Sequence, residues 1–225
     1  MYPIKYMDGW SDFFEEIQKK PFFIELIKFL QTEYENETVF PPKEDVFRIF
    51  TLVQPWDISV IIIGQDPYHK AGLANGIAFS CKNNQKIPAS LRNIFKELKS
   101  DLDIDHFANL DLENWVKQGV FLINSIMTVR EKKPASHKNI GWEEFTEEVL
   151  YFINKKSEKI IYCLWGNFAK RIYNKIRYNF TNKAIAIHSG HPSPFSYHLF
   201  KNTNPFSKIN EKLSEIGKNP IAWDK

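Results

Sequence analysis

The stretch Ser59-Val60-Ile61-Ile62-Ile63-Gly64-Gln65-Asp66-Pro67-Tyr68-His69 sets the reading of the whole chain. Ser59 leads into four β-branched apolar residues across 59–63, and the run stops at a glycine. An uninterrupted apolar run of this length fits a strand buried on both faces, as in a parallel sheet. Residues 77–80, 120–123, 160–165 and 184–187 have the same character. Helical spacing lies between most of them, at 90–99, 142–154 and 168–176, and 208–216 reads as a closing helix before Gly217. Strand–helix alternation of this kind predicts an α/β layered fold.

Upstream, residues 10–30 interleave Trp10, Phe13, Phe14, Ile17, Phe22, Phe23, Leu26, Ile27 and Leu30 with charged residues. That is helical spacing, interrupted at Pro21. Residues 44–50 carry a shorter helical pattern, with Pro42 suited to its first turn. The acidic segment 101–111 reads as a loop. There is no internal repeat, and nothing marks a domain boundary, so residues 1–225 are expected to form one domain.

The chain has 225 residues, 43% hydrophobic and 15% aromatic, enough for a large core and unlike a disordered chain. Its net charge is only +3, from 30 basic and 27 acidic residues, and five of the basic residues are Arg. That total does not by itself imply nucleic-acid binding, although a local basic face is compatible with it. Cys81 and Cys163 are far apart in apolar runs, which favours two reduced core thiols over a disulfide or zinc site. No apolar run reaches the roughly 18 residues needed to span a membrane, and the N-terminus has no signal-peptide pattern. A soluble cytoplasmic protein is expected.

In open α/β sheets ligands collect beyond the carboxyl ends of the strands. Four segments end a strand with reactive or polar residues: 64–69, Asn124, Trp165-Gly166-Asn167, and 188–196, which reads His-Ser-Gly-His-Pro-Ser-Pro-Phe-Ser. In a parallel sheet all four share one edge. Each has an ordinary alternative. Asp66 before Pro67 can stabilise a turn, His191 can be a turn histidine packed by Pro192, Asn124 can satisfy strand-end backbone groups, Tyr68 and Phe79 can be core aromatics, and Ser90 is a plausible helix N-cap.

These segments, with Pro88-Ala89-Ser90-Leu91-Arg92-Asn93, Thr128-Val129-Arg130, Ser136-His137 and Gly141-Trp142-Glu143, closely resemble the family 1 uracil-DNA glycosylases over residues 41–223. Alternation and resemblance together imply a three-layer α/β fold with a central, mostly parallel four-stranded sheet flanked by helices. The resemblance implies that Asp66 orients the attacking water and faces the cationic sugar, and that His191 stabilises the uracil anion. It assigns Asn124 to the uracil edge, Phe79 to its face, Tyr68 to C5 where thymine carries a methyl group, and the Gln65 backbone to holding the base. Ser90, Gly166, Asn167 and Ser193 match loops that grip the DNA backbone. Phe195 stands where the family usually has the Leu that fills the gap left by the flipped nucleotide. The implied substrate is uracil-containing single- and double-stranded DNA, with a DNA-mimicking protein inhibitor as a further candidate partner. No metal or cofactor is implied, and a monomer is expected.

The chain departs from the family at Lys70, Leu73 and Asn75, at Asn167 in place of a frequent Ser, and across residues 197–201. Three rival readings follow from the residues: a DNA-binding module of this fold without catalysis, a glycosylase of broader base choice, and a small-molecule hydrolase. The presence of Asp66, Asn124 and His191 weighs against the first, Tyr68 and Asn124 against the second, and the backbone-gripping loops against the third.

Overall fold

The computed structural model describes residues 4–83, 85–179 and 184–225. The N-terminal pattern forms two helices, α1 (Ser11–Ile17) and α2 (Pro21–Asn36), after a short 3-10 turn. Pro21 occupies the first position of α2, where its fixed φ suits the helix and its missing N–H has no helical partner to lose. Next come β1 (Val39–Phe40), β2 (Val60–Gly64), α3 (Ala89–Leu102), α4 (Glu113–Lys117), β3 (Val120–Asn124) and β4 (Val129–Arg130). The chain continues through α5 (Trp142–Lys156), β5 (Ile161–Trp165), α6 (Gly166–Ile176), β6 (Ile185–Ser189), α7 (Tyr197–Phe200) and α8 (Pro205–Glu215).

The central sheet has the order β3-β2-β5-β6, and every pairing in it is parallel. β1 and β4 form a separate antiparallel pair. Alternation along β5 shows the three layers. Tyr162 faces one side, against Tyr173 of α6 and Asn154 of α5, whereas Trp165 faces the other, against Phe200 of α7 and Phe206 of α8. β2, β3 and β5 are buried on both faces apart from Asn124 at the end of β3. β6 is different: it lies at the sheet edge, Ile185, Ala186 and Ile187 are only half-buried, and His188 is exposed within the strand.

Four further sequence expectations need correction. Residues 77–80 are not a strand. Gly76 and Phe79 have φ of +85° and +64°, so the chain turns there, although the Ala78 N–H still donates to the Leu122 carbonyl. Residues 44–50 form no α-helix but two 3-10 turns, Lys43–Asp45 and Arg48–Thr51, with Pro42 capping the first rather than lying inside it. Ser90 does not cap α3: the extended Pro88 precedes the helix and Ser90 is its second residue. The segment predicted as a loop at 101–111 is helical through Leu102 and contains the left-handed Asp103. Cys81 and Cys163 are buried free thiols. Among the described residues, no helix is long and apolar enough to cross a membrane.

An aromatic cluster between the sheet and the N-terminal helices holds one face together. Phe145 of α5 lies at its centre, with ring centroids 5.4–6.4 Å from Phe13, Phe14, Phe23, Phe47, Phe50 and Trp142. Phe145 is fully buried, so truncation removes its apolar area and leaves a void lined by rings that cannot all collapse. Phe145→Ala is expected to lower unfolding free energy by about 3–5 kcal/mol, read as a lower urea midpoint with little change in the slope.

Candidate active site

The parallel register brings the carboxyl ends of all four central strands to one edge: Gly64, Asn124, Trp165 and Ser189. After β2 the chain crosses to β3 on one side, then returns past β2 to β5 on the other. The order therefore reverses between β2 and β5, where a crevice opens in sheets of this type. A cleft at that point is lined by Ile63, Gln65, Trp165, Gly166, Asn167, Phe168, His191 and Ser193. The turn after β2 is clipped to the turn after β3, with the Gly64 and Gln65 carbonyls accepting from the N–H groups of Ser125 and Ile126 at 3.0 and 2.9 Å.

A second, neighbouring cavity is walled by Pro67, Tyr68, Gly76, Phe79, Ile123 and Asn124, among others. Gly64 lies directly opposite Asn124, and a Cβ at residue 64 would come within 2.2 Å of Asn124 Oδ1. Only glycine leaves room for that amide. The Tyr68 hydroxyl donates to the Phe79 carbonyl at 2.9 Å, fixing one aromatic wall to the other, and burial raises the phenol's pKa, keeping it a neutral donor. Phe79 is nearly buried in the left-handed conformation that a bulky side chain rarely adopts. Its ring packs edge-on to Trp165 at 5.2 Å and tilted to His191 at 5.9 Å.

The Phe79 loop is held from behind. Buried Asn75 donates through Nδ2 to Ser80 Oγ at 2.9 Å, Ser80 Oγ also accepts from the Leu112 N–H at 3.0 Å, and Arg48 donates to the Asn75 carbonyl at 3.3 Å. Asn75 and Leu73 are departures from the family pattern, and Asn75 here has a defined internal role.

Asp66 is partly exposed. Its Oδ2 accepts from the Ala135 N–H at 2.7 Å. Burial pushes its carboxyl pKa up, against the Ala135 N–H and the charge of His69, which pull it down. His69 carries a buried Nδ1 with no hydrogen-bond partner among the described residues.

His191 follows β6. Its Nδ1 accepts from the Ser193 N–H at 3.0 Å, so in the neutral ring the proton sits on Nε2. Burial lowers its pKa, which favours that neutral ring. Gly166, at φ +84°, opens α6 against this loop, where a Cβ would lie 2.7 Å from the His191 Cβ. Asn93 of α3 donates to the Pro192 carbonyl at 2.8 Å and ties the loop from the other side. Ser90, one turn earlier on α3, is partly exposed. Phe195 lies outside both cavities, on a 3-10 turn at Pro194–Ser196, and is 94% exposed.

The structure thus puts Tyr68, Phe79 and Asn124 on one cavity and His191 with Gln65, Gly166, Asn167 and Ser193 on the neighbouring crevice, leaves Asp66 outside both linings on the turn between Gln65 and Pro67, and sets Phe195 in solvent. Sequence reasoning gave no role to Ala135, whose backbone holds Asp66, nor to Glu33, which is buried beside His137. A signal existed for Glu33. It continues the buried stripe Phe23, Leu26, Leu30 of α2 at spacings where another apolar residue is expected. Ala135 acts through its N–H alone, so its side chain offered none. Among the described residues, no group of three or more His, Cys, Asp or Glu is placed to hold a metal ion.

Comparison with known proteins points the same way. Residues 50–214 match the model of the uracil DNA glycosylase superfamily. The chain is 43% identical to the uracil-DNA glycosylase of Borrelia duttonii (strain Ly) over 98% of this chain and 99% of that protein. It is 44% identical to uracil-DNA glycosylase 1 of Listeria innocua serovar 6a over 96% of each. The crystal structure of mimivirus uracil-DNA glycosylase matches with a TM-score of 0.87 at 28% identity, covering 98% of this chain and 88% of that one. Sheet order, strand-edge cavities and these matches converge: the chain belongs to the uracil DNA glycosylase superfamily.

Proposed function

We propose that this protein is a uracil-DNA glycosylase that hydrolyses the N-glycosidic bond of a flipped-out deoxyuridine, releasing uracil and leaving an abasic site, the first step of base excision repair. The observation that carries the reading is His191. A neutral imidazole with its proton on Nε2 stands beside the Phe79 ring, which also walls the cavity containing Asn124 and Tyr68.

The chemistry follows from these groups. As C1′–N1 breaks, its electron pair leaves with uracil and negative charge collects on the base, where His191 Nε2–H donates to O2. The sugar gains oxocarbenium character, which the Asp66 carboxylate stabilises while it orients the water whose oxygen bonds to C1′. The water proton passes to the Asp66 carboxylate, which releases it to solvent, and the uracil anion takes a proton from solvent after release. One carboxylate suffices because the leaving group departs as an anion, unlike glycosidases that use two. Asn124 accepts from uracil N3–H and donates to O4, a pairing that cytosine cannot offer. Phe79 stacks on the base and the Gln65 backbone helps hold it. Tyr68, fixed through its hydroxyl, occupies the space of thymine's methyl group. A merely snug pocket discriminates one methylene by only ~1–3 kcal/mol, so a wall with no freedom to move is needed.

Ser90, Gly166, Asn167 and Ser193 engage the DNA backbone, and Phe195 fills the gap left by the flipped nucleotide. Its exposure supports that reading, since base–aromatic stacking is worth about 1–3 kcal/mol. A variant of the mimivirus enzyme has been crystallised in complex with UGI. By analogy we place a DNA-mimicking protein inhibitor on the same face here. The reading also takes residues 1–225 as one domain, monomeric and cytoplasmic, with no metal or cofactor.

The decisive assay incubates the protein with uracil-containing oligonucleotides in EDTA and cleaves abasic sites with alkali. Strand cleavage is expected, and its absence, or restoration only by added metal, rejects the proposal. Asp66→Asn is expected to slow turnover about 10²–10⁴-fold and His191→Ala about 10²–10³-fold. Phe195→Ala is expected to lose more activity on duplex than on single-stranded substrate, and activity unchanged from wild type on both removes Phe195 from its role.

The Asp66 environment adds a pH prediction. Burial raises its pKa in the folded protein, so the fold binds this proton more tightly than the unfolded chain does. The ionised carboxylate therefore costs stability at neutral pH, and that cost disappears as pH falls through the raised value. Asp66→Asn should melt at or above the wild-type temperature at pH 7, with the difference shrinking in acid. A lower melting temperature at pH 7 contradicts this assignment. The acid limb of wild-type kcat should lie above the ordinary carboxylate range.

A further inference from the structure

The segment 130–137 connects the Asp66 turn to helix α2. Its Lys132 N–H donates to the His69 carbonyl at 2.9 Å and its Ala135 N–H to Asp66 Oδ2 at 2.7 Å, so the turn is held at two points. Lys132 and Ala135 both have left-handed backbone, with φ of +57° and +56°. Residues with side chains keep that conformation only where their surroundings over-determine it.

The surroundings here are a chain of buried hydrogen bonds. Trp142 Nε1–H donates to Thr128 Oγ1 at 2.7 Å, which frees the Thr128 hydroxyl proton for His137 Nδ1 at 2.7 Å. The His137 proton then sits on Nε2, facing Glu33 Oε2 at 3.0 Å. Arg130 closes the chain, donating through Nε and a terminal nitrogen to both oxygens of Glu33 at 2.5 and 2.6 Å. Thr128, His137 and Trp142 are fully buried and Glu33 is nearly so. The charges are consistent: hydrogen bonding by Arg130 lowers the Glu33 pKa and burial lowers that of His137, leaving a neutral ring beside the Glu33–Arg130 ion pair, with Glu37 also 3.4 Å from the guanidinium. The Arg130 N–H also donates to Ser136 Oγ at 2.8 Å, one residue beyond Ala135.

We propose that Glu33 is a positioning residue for the glycosylase reaction: through Arg130 and His137 it fixes the 130–137 segment, and with it the Ala135 N–H that holds one oxygen of Asp66. The proposal rests on the reading of Asp66 given above. Its physical content is orientation. A carboxylate with one oxygen tied presents the other in a fixed direction to the water and the sugar. With the tie loosened, the group rotates and its burial is no longer opposed by that N–H.

Glu33→Gln keeps the side-chain shape and removes the charge shared by Arg130 and His137. Expected is a fall in kcat of about 10–10²-fold, the scale of a small misplacement, with KM for a uracil oligonucleotide little changed. The acid limb of kcat should also move to higher pH. His69, the other side chain acting on Asp66, is unaltered, and repeating the profile in a His69→Asn background isolates the Asp66 effect. Ser136→Ala loosens the same segment without touching the buried charges and should shift both quantities in the same direction. It decides the question if Glu33→Gln does not fold. Unchanged kcat and acid limb in a variant with native circular dichroism overturn the proposal while leaving the Asp66 assignment intact, as does a loss confined to KM or melting temperature. Full activity in Asp66→Asn overturns the Asp66 assignment and this proposal with it.

Discussion

Gly64 and Asn124 face each other across a parallel ladder with no room between them for even one methyl group. The rest of the site is arranged around that contact. Because β2 and β3 run in register to their last residues, the Asp66 turn and the Asn124 amide emerge side by side. Because the sheet is parallel throughout, β5 and β6 deliver the α6 N-terminus and the His191 loop to the same edge. A slip of one residue would turn every side chain of a strand to the opposite face, and a sheet buried on both sides forbids it.

The aromatic interior does more than stabilise this frame. It sets the electrostatics at the edge. His191 is neutral because burial penalises its charged form and a backbone N–H occupies its acceptor nitrogen. Burial raises the Asp66 pKa, and Ala135 and His69 offset only part of that rise. The same desolvation acts on both, in opposite senses: it favours the neutral imidazole and opposes the ionised carboxylate. The carboxylate is therefore the group that needs support from outside its own turn.

Much of this was legible before any coordinates. Residues 59–63 and 120–123 read as buried strands because β-branched runs ending at turn residues have few other interpretations. The edge-sharing of 64–69, Asn124, 165–167 and 188–196 follows from a parallel sheet. Residues 77–80 defeated the same logic. A four-residue apolar run is equally consistent with a strand or an irregular buried turn. What decides it is Phe79 at φ +64°, held by contacts from Asn75, Ser80 and Arg48 that are remote in sequence or ambiguous in type. β6 was read as buried on both faces, but nothing in an apolar run marks a strand as the last in its sheet. Glu33 looked like one more charge on an amphipathic helix, and only its phase on the stripe distinguished it. Ala135 could not have been found, since its contribution is a peptide N–H.

The position of β6 gives the site two halves of unequal stiffness. Asp66 hangs from β2, which is hydrogen-bonded on both sides and sealed in the core. His191 hangs from β6, which has one neighbouring strand among the described residues and a face half open to solvent. Local opening starts where backbone bonds are exposed and buried contacts are sparse. The half that carries Asp66 is thus an anvil, and the half that carries the imidazole and the Phe195 loop is the compliant jaw. In such an instrument, a load on the site is taken up by the edge strand, while the place of Asp66 is set by the rigid side.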